Sequence, residues 1–397
     1  MTWREEGQKY ILPLYGRLPL DIVRGEGMYL FDSEGKRYLD FYSGIAVNTL
    51  GHGHPEVLAA VEEQMKKYFH LSNYFVTESQ VELAKLLVEN SFAGKVFFAN
   101  SGTEANEAMI KLARKYGREI SPSKFRFVAL NRGFHGRTLG GLSLTANPAY
   151  KEQFGDLMPG VTHVDLNDAE ALERAVDDHT CGIIFEVIQG EGGLSGVNPE
   201  FVKRIKEVAK KHNALILVDE VQTGLLRTGK LFAYEHLDLV PDAMTLAKGL
   251  GGGLPIGALL VSPRLENVLK PGEHGSTFGG NPVAAAAGAA VMRVLLRPEF
   301  QENVWECSTL LRKGLEVLQM KYPEIIGEIR GRGLMLGVEV GSHALTLRDF
   351  AQEEGLLLNI TGKTVLRLLP ALILTKVEIE EFLRILDNGM MKIAKGE

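Results

Sequence analysis

The chain has 397 residues, 45% of them hydrophobic and 24% charged, and 44 Lys plus Arg against 50 Asp plus Glu give a formal net charge of −6. That length predicts about two packed domains, and the mild acidity excludes a basic field for nucleic acid, so any anionic substrate must be met by a local cluster of cations and helix ends. Cys181 and Cys307 lie far apart without metal-ligand spacing, which argues against a disulfide framework or a zinc site and for a reducing cytoplasm. The start lacks the apolar core of a signal peptide, and no run of about 18 apolar residues predicts a membrane span.

In chain order, GMYLFD (27–32) and RYLDF (37–41) read as short strands, expected to pack with a C-terminal unit rather than with a main sheet. In SGTEANEAMIKLAR (101–114), Ser101 and Glu104 have capping-box spacing, and Met109, Ile110 and Ala113 follow at helical spacing, so a helix is predicted from Ser101. Its first amides, reached past Gly102 with no side chain in the way, can cradle a phosphate, and the Thr103 hydroxyl can add a donor. An ordinary capped helix has the same pattern. The glycine-marked loop NRGFHGRT (131–138) carries Phe134, a stacking platform or a core aromatic. It also carries His135, which is ambiguous and not expected to be a base, and Arg137, which can grip a carboxylate or pair at the surface.

CGIIFEV (181–187) reads as a buried strand running into EVIQGEGG (186–193) with Glu186, Gln189 and Glu191. Residues 199–211 then place Phe201, Val202, Ile205 and Val208 on one helical face, before the strands ALILV (214–218) and AMTLA (243–247). This alternation predicts a mostly parallel sheet with helices on both faces and ligands beyond the carboxyl ends of its strands. Asp219 follows its strand directly, where a carboxylate is costly unless paired. A protonated pyridine nitrogen, an ion pair or a helix cap would each serve. Val221 can pack against a ring face and Gln222 can donate to a ring oxygen. Lys248, between an apolar run and three consecutive glycines, can lose its proton by desolvation and form a Schiff base with an aldehyde. A structural lysine paired with a carboxylate is the alternative. HGSTFGGNP (274–282) is a further polar loop, with Ser276 and Thr277.

An Ala-rich helical pattern starts near Ala284; GRGLMLGVEV (331–340) and LRDFAQEEGLLLNI (347–360) then read as strand, helix and strand of a smaller α+β unit. LRLLPAL (366–372) supplies Arg367, a second candidate carboxylate clamp. The expected division is an N-terminal segment 1–50 packing with the small domain, a large domain 51–284 and a small C-terminal domain 285–397.

GIAVNTLGHGHP, HLSNYF, SGTEANEAMIKLAR, FHGRT, EVIQGEGG, VDEVQTG, AKGLGGGLPIGA, HGSTFGGNP, GRGLMLG and LRLLPAL occur in this order. Together they closely resemble the class III (subgroup II) pyridoxal-phosphate-dependent aminotransferases, nearest to the bacterial acetylornithine branch, almost from end to end. The resemblance implies fold type I: an α/β large domain with a mostly parallel mixed sheet flanked by helices, plus a smaller α+β domain. It implies a homodimer with active sites at the subunit interface, and pyridoxal 5'-phosphate held as a Schiff base by Lys248 with Asp219 on the pyridine nitrogen, these two being the catalytic residues. Gly102, Thr103, Phe134, Val221 and Gln222 would bind the cofactor, and Thr277 would reach the phosphate of the other subunit. Ser276 and Arg137 would meet the substrate, Arg137 at its α-carboxylate, and Arg367 would take glutamate's. Glu191 would close on Arg367 and so switch the site between acetylornithine and the 2-oxoglutarate/glutamate pair. Two positions depart from the family pattern: Val187 stands where proline is usual and Leu226 where glycine is usual. Ornithine, 4-aminobutyrate or succinyldiaminopimelate are alternative amine donors, but Gly44–Ile45 stands where ornithine aminotransferases carry a tyrosine. A non-catalytic, cofactor-binding regulator is the distant alternative, and no DNA-binding segment is evident.

Overall fold

Three sheets organise residues 3–396, the part of the chain that the computed structural model describes. Strands β1 (Ile22–Glu26), β2 (Tyr29–Asp32) and β3 (Arg37–Asp40) form an antiparallel meander. The large sheet follows, with β4 (Lys95–Ala99), β5 (Arg126–Leu130), β6 (Val161–Val164), β7 (Thr180–Phe185), β8 (Leu215–Asp219), β9 (Ala243–Leu246) and β10 (Gly257–Val261). Its spatial order is β4-β10-β9-β8-β7-β5-β6. From β9 to β6 the neighbours pair in parallel, whereas β10 runs antiparallel to both β4 and β9.

Strand alternation builds a layer on each face. β5 sends Phe127 and Ala129 to one side, to Met109 and Ala113 of the helix Gly102–Ile120. It sends Val128 and Leu130 to the other, to Phe201, Ile205 and Val208 of the helix Pro199–His212. That second helix starts where Asn198 Oδ1 accepts from Phe201 N at 2.7 Å, with proline at its first position, and stops at Asn213 in the left-handed conformation, as cap chemistry requires. The six codirectional strands deliver Asn100–Thr103, Phe134–Arg137, Glu186–Glu191, Asp219–Gln222 and Lys248 to one rim.

The third sheet is antiparallel, β11 (Ile329–Arg332), β12 (Met335–Glu339), β14 (Asn359–Thr361) and β15 (Val365–Leu368), in the order β11-β12-β15-β14. Between them in sequence, β13 (Leu356–Leu357) leaves to pair in parallel with β3, Leu356 opposite Leu39. The N-terminal meander is thereby joined to C-terminal residues. GRGLMLGVEV, expected as one strand, is a hairpin: Gly331 and Gly333 stand at φ +94° and +58°, and a Cβ on Gly333 would lie 2.4 Å from the Thr228 carbonyl carbon. β1 was not anticipated, because IVRGE is polar and mostly exposed. The Ala-rich helix begins at Pro282 behind an Asn281 cap and packs on the helices Pro55–Lys67 and Glu78–Glu89. The domain division we propose near residue 285 falls in its first turn.

Leu226 lies at φ +67° and is buried in the core, so the backbone there is one that glycine adopts freely. Leu226→Gly should relieve about 1–2 kcal/mol of backbone strain and forfeit about 2–5 kcal/mol of packing. Urea unfolding should therefore register a net loss, and a more stable variant would show that strain dominates. Val187 is buried just past β7, its carbonyl accepting from Val197 N at 3.1 Å. Cys181 and Cys307 are both buried and unbridged. Among the described residues no helix is long and apolar enough to cross a membrane, and no His, Cys, Asp and Glu side chains are grouped to hold a metal ion.

Candidate active site

A cavity of about 390 Å³ opens at the carboxyl rim of the large sheet, lined by Gly102, Thr103, Phe134, His135, Arg137, Glu186, Glu191, Asp219, Val221, Gln222 and Lys248 among others. Lys248 stands two residues past the end of β9, at φ +41°, a strained conformation for a side-chain-bearing residue and one that collects at functional sites. Burial pushes its amine down to about 8, Arg367 adding to the effect while the charges of Glu191, Glu186 and Asp219 oppose it.

Asp219, at the end of β8, is 3% exposed. Its Oδ2 accepts from Asn106 Nδ2 and from His135 Nδ1, each at 2.8 Å, and Oδ1 accepts from Val221 N at 3.0 Å. Asn106 is fixed in turn: its Nδ2 also donates to the His135 carbonyl and its Oδ1 accepts from Thr245 Oγ1, both at 2.8 Å. His135 is fully buried. Burial pulls its pKa down, but the hydrogen bond and charge of Asp219, with the charge of Glu186, override this and raise it. Glu186 is pushed up to about 7 by burial, with the Asp219 charge in the same direction, against the charge of His135 and the bonds from Phe134 N and Gly190 N.

The helix start is built as half of a capping box. Ser101 Oγ accepts from Glu104 N at 3.2 Å, but the Glu104 carboxylate reaches Asn100 N rather than Ser101 N. The first amides, those of Gly102 and Thr103, have no intrahelical acceptor and face an incoming anion. A Cβ on Gly102 would lie 2.7 Å from Val221 Cγ1, so glycine there lets the helix start approach the Asp219 strand. The Thr103 hydroxyl bonds Thr138 Oγ1 at 2.8 Å, and Thr138 donates to Glu107; the Thr103 proton therefore goes to Thr138 in this arrangement.

Arg367, on β15, is buried beside the cavity. Its Nη1 donates to Glu191 Oε1 at 2.6 Å and to the Gly190 carbonyl at 2.9 Å, and its Nε donates to Asn359 Oδ1 at 2.9 Å. Asn359 faces Arg367 across the β14–β15 pair. Arg137 is exposed, its guanidinium carbon 3.7 Å from the centre of the Tyr150 ring. Gln189 is tied to the Asn131 carbonyl at 2.8 Å and lies outside the cavity lining. Ser276 and Thr277 also stand outside it, in an adjacent groove with Asn73 and Tyr74, and Asn100 Nδ2 bridges to Ser276 Oγ at 3.2 Å.

The class-III aminotransferase family model matches residues 12–390. The chain belongs to the class-III aminotransferases. It is 50% identical to an acetylornithine aminotransferase of Caldanaerobacter subterraneus subsp. tengcongensis over 97% of this chain and 98% of that protein. It is 45% identical to one of Aquifex aeolicus over 95% and 98%. Among solved structures, the ornithine aminotransferase of Toxoplasma gondii ME49 superposes with a TM-score of 0.95 at 32% identity, covering 99% of this chain and 95% of that one. The N-acetylornithine aminotransferase of Stenotrophomonas maltophilia K279a superposes with a TM-score of 0.86 at 35% identity, covering 99% and 100%.

Class-III aminotransferases use pyridoxal 5'-phosphate, and the groups lining the cavity suit it. A carboxylate, an amine and a helix start meet at one rim, matching ring nitrogen, aldehyde and phosphate. The buried Gln222 Oε1 has no partner within the protein. Asn106, Thr245, Tyr150 and Asn359 were not anticipated. The first two had a signal, since each is a lone polar residue in an otherwise apolar face or strand, which burial forbids without a partner.

Proposed function

We propose that this class-III aminotransferase transfers the δ-amino group of N2-acetyl-L-ornithine to 2-oxoglutarate, giving N-acetyl-L-glutamate 5-semialdehyde and L-glutamate. The observation that carries the reading is the ion pair of Glu191 with the buried Arg367 at the cavity that holds Lys248. Such a pair answers the problem of one site that must take an amine at the far end of one substrate and an α-amine on the other. The acetylornithine aminotransferases of Caldanaerobacter and Aquifex, 50% and 45% identical to the chain, support the same donor. The Toxoplasma neighbour favours ornithine as a second reading, opposed by Gly44–Ile45. Measuring transfer from acetylornithine, ornithine, 4-aminobutyrate and succinyldiaminopimelate to 2-oxoglutarate decides, and faster transfer from ornithine would overturn the first reading.

Pyridoxal phosphate, when bound, supplies a carbonyl that takes up the amine and a ring that stores the electron pair released as the substrate carbon loses its proton. Asp219 would hold a proton on the ring nitrogen, its carboxylate fixed by Asn106 and His135. Gly102 and Thr103 would bind the phosphate, Phe134 and Val221 would pack against the ring, and Gln222 would donate to the ring oxygen. With the cofactor in place, Lys248 Nζ would be the group that carries the proton of the substrate carbon. Arg137 takes the substrate carboxylate. With Glu191 closed, Arg367 is neutralised and the ω-amine approaches; with Glu191 swung away, Arg367 grips glutamate while Asn359 and the Gly190 carbonyl still hold it. Glu191→Ala should therefore slow the acetylornithine half-reaction relative to the glutamate half-reaction by about tenfold, each followed by stopped-flow absorbance, whereas equal changes in both would remove the gate.

We also propose a dimer. Phe69, Tyr74, Phe75, Val76 and Phe278 are exposed, Tyr74 at 97%, and large exposed apolar side chains gathered in this way mark association surfaces. Thr277, outside the cavity of its own chain, would then serve the phosphate of the other copy. Light scattering of the purified protein tests the assembly.

A further inference from the structure

Among the described residues lining the cavity, Arg137 and Lys248 are the cations that neither a carboxylate nor a backbone carbonyl holds, and of the two only Arg137 is exposed. Arg367 is locked by Glu191, Gly190 and Asn359, and Lys248 is enclosed at the rim. Arg137 is itself exposed, with its guanidinium carbon 3.7 Å from the Tyr150 ring centre and 5.7 Å from that of Phe134. The two rings meet edge to face, 6.4 Å apart at 88°.

A guanidinium laid on an aromatic face is held through its π-surface and leaves its in-plane N–H groups free. An ion pair would consume the donors that a bidentate carboxylate needs. Tyr150 is anchored independently. It ends the short turn Pro148–Tyr150, where Asn147 Oδ1 accepts from Ala149 N at 3.1 Å and the Asn147 carbonyl from Tyr150 N at 3.1 Å. Lys151 Nζ ties the turn back to the Thr145 carbonyl at 3.1 Å.

We propose that Tyr150 is a positioning residue. It presents the edge of Arg137 to the carboxylate of an N-acylated ω-amino acid and joins that substrate contact, through Phe134, to the platform beneath the cofactor ring. The inference rests on the proposed function, in which Arg137 takes that carboxylate. It separates binding from chemistry, because Tyr150 itself touches neither the reacting carbon nor the proton carried by Lys248.

Steady-state kinetics with N-acetylornithine and 2-oxoglutarate on the holoenzyme test it. Tyr150→Leu should raise KM for acetylornithine about three- to thirtyfold with kcat held within about twofold, the range that a lost cation–π contact spans. Tyr150→Phe should behave as the parent, because the ring and not the hydroxyl is used. In an Arg137→Ala background, Tyr150→Leu should add nothing, since it acts only through the missing guanidinium. An unchanged KM in Tyr150→Leu, or a rise that persists without Arg137, would overturn the proposal while leaving the carboxylate site intact. An Arg137→Ala variant with a normal KM would instead remove the assignment of Arg137 itself, and this proposal with it.

Discussion

Lys248→Ala is expected to abolish the absorbance of bound cofactor linked to the enzyme and to lower turnover by at least about a thousandfold, because one side chain serves as both attachment point and proton carrier. A variant that kept either signal would end the account. The environment of Lys248 also fixes a pH dependence. The neutral amine is the attacking form, and with its pKa pushed down to about 8 the capture of added pyridoxal phosphate by the apoprotein should quicken about tenfold per pH unit below 8 and level off above it. An unperturbed lysine would continue to quicken towards its ordinary value of about 10.4. The same depression bears on stability. Between the folded and the unfolded pKa the unfolded chain binds more protons, so this group's contribution is present above the unfolded value and lost as pH falls through that window towards 8. Lys248→Met apoprotein should show a flatter stability profile there.

Asp219→Asn is expected to cost about a thousandfold in turnover, the scale of removing a preorganised charge from a buried site. The amide retains the shape of the carboxylate, but it cannot hold a proton on a ring nitrogen by charge. It also turns either an NH₂ towards the Asn106 and His135 donors or its oxygen away from Val221 N. Without the carboxylate, the interaction that raises the His135 pKa is lost, so the imidazole should titrate at lower pH in the variant. Nitrogen NMR of His135 alongside kcat reads both effects. Turnover within about tenfold of the parent would mean that Asp219 is only structural.

Much of this site was legible because each reacting group sits where a buried apolar run stops. Asp219 ends β8 and Lys248 comes two residues after β9, so their place at the sheet rim needs only the alternation of strand and helix. Arg367 could be named from its motif, but Asn359 could not, since the two meet by cross-strand register after a turn. Tyr150 was illegible for a related reason: it reaches Arg137 through loop geometry that no periodicity encodes. Gly102 is expected to clear a path for phosphate, whereas a Cβ there would meet Val221. The GRGLMLG segment looked like one strand because its alternation continues across a turn that two positive-φ glycines make possible.

The parallel pairing of β3 with β13 bears on how the protein is made. A strand ending at Asp40 must wait for residues 356–357 to leave the ribosome before its free edge is covered, and the Arg367 side of the pocket emerges later still. Through most of synthesis the large sheet can close behind its helices while the N-terminal meander keeps an unpaired edge, the kind of surface that recruits chaperones or neighbouring nascent chains. Nascent chains stalled before residue 356 should therefore be protease-sensitive between residues 22 and 40 and resistant in the large sheet, and chains released past residue 368 should be protected in both.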